Sequence, residues 1–218
     1  MIIEFTGVPC SGKSSVSHEL FKKLSEENLS ACEKQYELSH NASGFKRIFL
    51  KLAACFLYCI MHPKASISYY RIIGSLGLWL NYIHLLSLSK NNGICILEQG
   101  YLQLIGSFFD NAEPDKEKAE LLFKKLMPEL DIVQVFVSAS RETVLKRANR
   151  RNDKPFFLTS AAPEASLELS FKTSALLKEL WIENRGNEKF IEAVSTEEGS
   201  SKAVSQKIFE ILKQKELL

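Results

Sequence analysis

The sequence predicts an α/β protein in which helices cover both faces of a mainly parallel sheet, and three observations support this prediction. Segments with the hydrophobic pattern of strands alternate with segments that have the 3.6-residue period of helices. A glycine-rich turn joins the first strand directly to the first helix. The 218 residues, of which 45% are hydrophobic, suffice for one sizeable core. We therefore expect a single domain over residues 1–218.

The first half of the chain begins with a short apolar run and continues with alternating elements. Asn91, Asn92 and Gly93 interrupt the helical pattern before the third strand. Its predicted elements, in chain order, are strand 2–6, helix 14–28, strand 30–37, helices 46–61 and 66–89, strand 94–97, and helices 101–109 and 114–127.

The second half repeats the alternation and brings the predicted strands to five. Its elements are strand 132–137, helices 141–151 and 165–184, strand 189–194 and helix 202–215. Strands that alternate with helices form parallel sheets through right-handed crossovers. Because such sheets bind ligands beyond the carboxyl ends of their strands, we expect the functional site there.

Composition restricts the expected partners and compartment. The formal net charge of +2 is too close to balance to favour nucleic acid or an anionic membrane as the main partner. The five cysteines have no CxxC spacing, which favours reduced thiols, and the strand that starts at Ile2 leaves no room for a targeting segment. We therefore expect a cytoplasmic protein.

The stretch GVPCSGKSS matches the phosphate-loop spacing GxxxxGK[ST]. The glycines let the backbone N–H groups wrap a phosphate at the start of a helix. Lys13 can reach the terminal phosphates, and the Ser14 hydroxyl can coordinate Mg²⁺. The predicted nucleotide-binding residues are Gly7, Val8, Pro9, Cys10, Ser11, Gly12, Lys13, Ser14 and Ser15.

With this motif the chain resembles the P-loop kinases of the nucleoside and nucleotide kinase type, especially thymidylate-kinase-like proteins. The resemblance covers most of the chain in the order of elements, and the phosphate loop is its specific part. It implies a three-layer P-loop NTPase fold with a five-stranded, mainly parallel sheet flanked by helices. It also implies that ATP and Mg²⁺ serve phosphoryl transfer to a small-molecule acceptor, first of all a nucleoside or nucleoside monophosphate.

Glu98 ends the third predicted strand, where the resemblance places an acidic residue. It could be the catalytic base that accepts the proton of the acceptor, or it could hold metal-bound water. Gln99 departs from the family pattern, which often has an arginine or a second acid at this position. This departure keeps open a nucleotide-binding regulatory protein that transfers no phosphate.

The stretch KRANRRNDKP resembles the mobile lid of these kinases and places a predicted lid at about residues 141–155. Arg147, Arg150 and Arg151 are spaced three and four residues apart, so they can converge on one side of a helix. The resemblance implies that they neutralise charge on the transferring phosphate. It also places residues 195–199 beside the adenine, and the absence of an NKxD motif favours ATP over GTP.

The strongly apolar region at about residues 44–92 corresponds to the acceptor region of the related kinases. Residues 72–89 carry no formal charge, but small and polar residues cluster on one side of the predicted helix, which favours a packed helix over a membrane span. Its apolar content would suit a hydrophobic pocket or the interface of a homodimer. A membrane-associated protein that presents residues 46–89 to lipid is the remaining alternative. The candidate acceptor contacts are Glu37, Arg71, Asn81, His84 and Tyr101.

Overall fold

The structure is a computed structural model that describes residues 1–34, 93–98, 100–107, 109, 113–126, 131–152, 155–195 and 199–218. The two predicted apolar helices, 46–61 and 66–89, lie outside the described residues, as does Gln99. Within the described residues, no helix is long and apolar enough to span a membrane.

Strands and helices alternate along the described chain as the hydrophobic pattern predicts. The elements are β1 (Ile2–Thr6), α1 (Lys13–Glu26), β2 (Ala31–Lys34), β3 (Ile94–Leu97), α2 (Tyr101–Ser107), α3 (Lys116–Leu126), β4 (Ile132–Ser138), α4 (Arg141–Arg150), α5 (Phe156–Thr159), α6 (Pro163–Arg185), β5 (Phe190–Val194) and α7 (Ser201–Gln214).

The five strands form one sheet in the order β2-β3-β1-β4-β5, and every described strand pair is parallel. In the central strand, Ile3 is in register with Ile96 of β3 and with Val133 of β4. The predicted α/β fold with a five-stranded parallel sheet is therefore confirmed. Parallel strands buried on both faces carry near-continuous apolar runs, which is why β1 and β4 were recognisable in the sequence.

Helices cover both faces of the sheet, so the protein has three layers. On one face, Ile3 and Phe5 of β1 belong to a core cluster that includes residues of α1 and α7. On the other face, Ile2 belongs to a cluster with residues of α2, α3 and α6. Since successive side chains of a strand point to opposite faces, one short strand contributes to both cores.

A third apolar cluster joins the turn after β1 to the helices that follow β4. Val8, which is 5% exposed, packs with Val144 and Ala148 of α4 and with the fully buried Phe157 of α5. The predicted lid helix is therefore anchored against the glycine-rich turn by side-chain packing.

Local sequence signals explain where three of the described helices begin. The side chains of Ser140 and Ser200 accept hydrogen bonds from the backbone N–H groups of Thr143 and Ala203, as N-cap residues do. Helix α6 begins at Pro163, two residues before the predicted start, because proline is suited to the first turn. Helix α5 was not predicted, since four residues are too few to show a helical period.

Candidate phosphate-binding and catalytic site

The site lies where the connections of two neighbouring strands leave the sheet on opposite faces. The chain passes from β1 to α1, which packs on one face, and from β3 to α2, which packs on the other. Such a switch point opens a crevice at the carboxyl ends of the strands. The turn 7–12 after β1 and Glu98 after β3 both border this crevice.

The path of the turn depends on its two glycines. Gly7 has φ 152°, and a Cβ atom there would lie 2.2 Å from the main-chain oxygen of Val137. Gly12 has φ 104° and immediately precedes α1. Side chains rarely tolerate such backbone angles, so glycine is required at both positions. The turn thus presents the amino terminus of a 14-residue helix to the crevice.

Lys13 lies at the start of α1, and its side chain points back into the turn. Its Nζ donates hydrogen bonds to the main-chain oxygens of Gly7 at 2.7 Å and Val8 at 3.1 Å. Burial lowers the pKa of Lys13 to about 8, and the Glu98 carboxylate opposes this effect while Arg151 adds to it. The cation is therefore held inside the turn, within electrostatic reach of Glu98.

The predicted metal-binding residues are brought together. The Ser14 hydroxyl donates a hydrogen bond to Oε1 of Glu98, which joins the first turn of α1 to the residue after β3. A hydroxyl and a carboxylate are hard oxygen donors of the kind that Mg²⁺ prefers, and Mg²⁺ completes its coordination with water and substrate phosphates. The chemistry of this donor pair fits the predicted cation.

Arg147 of α4 contacts the turn directly. Its Nη1 donates to the main-chain oxygen of Ser11 at 2.8 Å, and both terminal nitrogens donate to the Ser195 hydroxyl at 3.1 Å. A Cβ atom on Gly12 would lie 3.0 Å from both Arg147 Nη1 and Ser195 Oγ. Arg147 therefore connects the turn to the residue that follows β5.

The three predicted lid arginines do not all reach the turn. Nη1 of Arg151 lies 3.8 Å from the Cys10 sulfur, whereas Arg150 is exposed and forms no hydrogen bond with the turn in the part of the chain that the structure describes. Helix α4 ends at Arg150, so the backbone of Arg151 is extended and carries its side chain toward the loop. Convergence of the three arginines stays a prediction for the ligand-bound protein.

The other predicted loop residues differ in accessibility. Ser11 is fully buried, Pro9 and Cys10 are partly buried, and Ser14 and Ser15 are exposed at the crevice. Of the segment predicted beside adenine, Ser195 and Gly199 are described, and Ser195 is 4% exposed.

The predicted acceptor contacts fall mainly outside the described residues, where Glu37, Arg71, Asn81 and His84 lie. Tyr101 is described and is 3% exposed, within the core cluster beneath α2. Its part in acceptor binding stays a prediction.

Two residues at the site were not singled out from the sequence. Gln103 of α2 accepts a hydrogen bond from the Gly7 N–H through its side-chain oxygen at 3.3 Å. Glu4 of β1 is completely buried and accepts a hydrogen bond from the Leu102 N–H at 2.7 Å. The acid in the otherwise apolar run IIEF was the available signal for Glu4, whereas nothing local distinguishes Gln103.

The parallel sheet, the glycine turn and the buried lysine together define a P-loop fold. Solved structures show the same fold. Deoxyadenosine kinase from M. mycoides with the products dCMP and a flexible dCDP bound is 17% identical, with a TM-score of 0.55 over 98% of this chain and 100% of that chain. Its dATP-bound structure is 16% identical, with a TM-score of 0.54 over 98% of this chain and 99% of that chain.

Thymidylate kinase from Ehrlichia chaffeensis is also similar, with 13% identity and a TM-score of 0.56 over 97% of this chain and 98% of that chain. No protein-family model matches the chain, and no curated protein matches it in sequence. The likeness therefore concerns the fold.

Proposed function

We propose that the protein is a small-molecule kinase that transfers a phosphoryl group from ATP, in the presence of Mg²⁺, to a nucleoside or nucleoside monophosphate. The observation that carries the proposal is the contact between Ser14 and Glu98 beside the buried amino group of Lys13. The ammonium group of Lys13, the hydroxyl of Ser14 and the carboxylate of Glu98 thus lie near one another at the phosphate loop. These groups suit phosphoryl transfer, because its catalysis depends mainly on positioning and on charge stabilisation and requires little covalent chemistry from the protein.

Lys13 is the proposed contact to the terminal phosphates. Its amino group is now hydrogen-bonded to the carbonyl groups of Gly7 and Val8. A phosphate in the turn would offer it a charged acceptor instead, which makes a stronger hydrogen bond than a neutral carbonyl oxygen. The negative phosphate would also offset the burial that lowers the pKa of Lys13 to about 8.

Ser14 and Glu98 would hold Mg²⁺ between them, either directly or through water. When bound, the ion supplies charge neutralisation for the phosphate oxygens. Glu98 is alternatively the general base, since a carboxylate at this edge of the crevice can accept the proton of the acceptor hydroxyl. Arg151, whose Nη1 lies 3.8 Å from the Cys10 sulfur, is the proposed lid residue that approaches a bound phosphate, since Arg147 is already bonded to Ser11 and Ser195.

The acceptor class is proposed from the fold likeness. The similar solved structures include a deoxyadenosine kinase with dCMP and dCDP bound and a thymidylate kinase. Since one fold supports several substrates, a nucleoside or nucleoside monophosphate is the class to test first. The acceptor region is assigned to residues 44–92 by its place in the sequence.

The test is ADP release from Mg²⁺-ATP by the purified full chain with a panel of nucleosides, nucleoside monophosphates and other hydroxylated metabolites. Lys13→Ala serves as the inactive variant. Lys22→Ala is its matched control, because Lys22 lies on the same helix and forms an exposed ion pair with Glu19. We expect acceptor-stimulated turnover that Lys13→Ala abolishes and Lys22→Ala retains.

Two results would contradict the proposal. Nucleotide binding without turnover for any acceptor would favour the regulatory alternative instead. Turnover that persists in Lys13→Ala would show that a contaminating enzyme or another site is responsible.

A further inference from the structure

Glu4 is an acid in the centre of the sheet. It is completely buried in β1, between the apolar residues Ile3 and Phe5. Burial of a carboxyl group is costly unless hydrogen bonds compensate it, and an apolar residue would suit this strand position. We therefore expect the buried carboxyl group of Glu4 to have a specific role in the site that β1 supports.

The carboxyl group of Glu4 meets the start of α2. Its Oε1 accepts a hydrogen bond from the Leu102 N–H at 2.7 Å, and the N–H groups of Tyr101 and Gln103 also act to lower its pKa. Burial acts more strongly and raises the pKa to about 7. The described groups that affect this pKa are the three N–H groups and the Thr6 hydroxyl, and all four are uncharged. Among the described residues, Oε2 has no hydrogen-bond partner.

Gly100 makes this approach possible. A Cβ atom on Gly100 would lie 2.0 Å from the carboxyl carbon of Glu4 and 2.5 Å from Oε2. Only a glycine lets the backbone lie this close to the acid. Gly100 is two residues after Glu98, so the contact restrains the same short segment that carries the proposed catalytic carboxylate.

The same helix is tied to the phosphate loop. Gln103 accepts from the Gly7 N–H at 3.3 Å, and Glu4 lies three residues before Gly7 on the strand that leads into the loop. One rigid strand therefore supports both the loop that holds Lys13 and the segment that holds Glu98.

We propose that Glu4 is a positioning residue that, through its contact with Gly100 and the first turn of α2, holds Glu98 at the distance from Ser14 that phosphoryl transfer requires. The catalytic part of this inference rests on the proposed function. The positioning part rests on the contacts alone. It can therefore be tested without any turnover.

Hydrogen–deuterium exchange of the full chain tests the positioning. Glu4→Gln keeps the size of the side chain but removes the negative charge, so the Leu102 N–H donates to a neutral amide oxygen instead of a carboxylate, which weakens this hydrogen bond. Gly100→Ala disturbs the same contact from the other side. We expect both variants to speed amide exchange in residues 98–105 by about tenfold, as loss of a hydrogen bond to a charged group would. The matched control is Gly106→Ala in the same helix, whose new Cβ would lie 2.8 Å from Leu177 Cδ1, the end of a flexible side chain that can shift, and 3.5 Å from Thr173 Cγ2.

Kinetics test the catalytic consequence. We expect Glu4→Gln to lower kcat by about tenfold or more and to leave the KM for ATP within about threefold, because the phosphate loop still binds the nucleotide while Glu98 is displaced. A merely structural role would instead reduce the amount of folded protein without changing kcat per folded molecule. Gly106→Ala should keep both constants.

The outcomes separate this inference from the proposed function. Unchanged exchange in residues 98–105 in both Glu4→Gln and Gly100→Ala would overturn the positioning role, whatever the activity. An unchanged kcat together with faster exchange would overturn the catalytic role. If the unmodified protein has no turnover with any acceptor, the proposed function fails together with the catalytic role, and exchange alone decides the positioning role.

Discussion

Arg147 of α4 donates a hydrogen bond from Nη1 to the main-chain oxygen of Ser11 at 2.8 Å. A helix that follows the fourth strand is thus bonded to the loop that follows the first strand. The Ser195 hydroxyl accepts from the same guanidinium group, so three separate connections of the fold meet at one side chain. The planar, forked guanidinium group can serve such a junction, whereas an ammonium group cannot reproduce its geometry.

Arg147→Lys should therefore destabilise the phosphate loop and reduce its affinity for nucleotide, although the positive charge is kept. We expect the free energy of unfolding to fall by about 2 kcal/mol, and nucleotide affinity by about tenfold, because hydrogen bonds from a partly buried cation are lost. Chemical denaturation and titration with a fluorescent ATP analogue measure the two effects. Arg141→Lys is the matched control, since Arg141 lies on the same helix in an exposed pair with Glu168 at 3.8 Å. Equal effects of the two substitutions would contradict the junction.

Gly12→Ala should abolish nucleotide binding. The new Cβ would crowd Arg147 and Ser195 at 3.0 Å and would also strain a backbone with φ 104°. Gly186→Ala separates these two effects, because Gly186 has φ 74° but no described atom lies within 4 Å of the new Cβ. We expect Gly186→Ala to cost about 1–3 kcal/mol of stability and to retain nucleotide affinity. Loss of affinity in both variants would show that global destabilisation, rather than crowding, is responsible.

Glu98→Gln should lower kcat by about a hundredfold or more, whether Glu98 is the general base or holds metal-bound water. The dependence of the rate on Mg²⁺ concentration distinguishes these two roles. If Glu98 is the general base, the variant should need the same Mg²⁺ concentration as the unmodified protein for half-maximal rate. If Glu98 holds metal-bound water, the variant should need a higher Mg²⁺ concentration. Glu19→Gln, which alters a partly buried acid on α1 that pairs with Lys22, is the control. A Glu98→Gln variant with unchanged kcat would remove Glu98 from the proposed site.

Glu4 should make stability depend on pH. Burial raises its pKa from 4.5 to about 7 in the folded protein, so between these values the folded state binds more protons than the unfolded state. The contribution of Glu4 to the free energy of unfolding is fully present below pH 4.5 and is lost as the pH rises through about 7. Relative to Glu4→Gln, the free energy of unfolding should fall by about 3 kcal/mol across this window.

Denaturation of both proteins at pH 5 and pH 8 measures this difference, and groups common to both proteins cancel. An unchanged or increasing difference as the pH rises would show that the pKa of Glu4 is not raised in the folded protein.

Much of the fold could be predicted because its signals are local. Strand β1 was predicted with the bounds that the structure has, and β3 likewise, since short apolar runs between turn residues are recognisable without knowledge of their neighbours. The second strand was predicted over 30–37, and the structure describes it over Ala31–Lys34. The phosphate loop was predictable for a related reason. The spacing of its glycines and lysine encodes the path of the backbone, and contacts within the turn, such as that of Lys13 with Gly7, maintain this path.

The candidate site was predicted in part. Ser14 and Glu98 were assigned to one metal-binding group, and the structure joins their side chains across 84 residues of chain. The arginines are expected to converge by helical spacing, and this stays a prediction, because spacing does not report what a helix end faces. Arg147 contacts Ser11 and Ser195, while Arg150 remains exposed.

The sequence by itself determined the alternation of strands and helices, the phosphate loop and the acid at the end of β3, because each depends on residues close together in the chain. Only the tertiary structure decided the strand order, the junction at Arg147 and the burial of Glu4 against Gly100 and α2. These depend on contacts between residues 48 to 136 positions apart. Their free energy comes from packing and hydrogen bonds that no local pattern encodes.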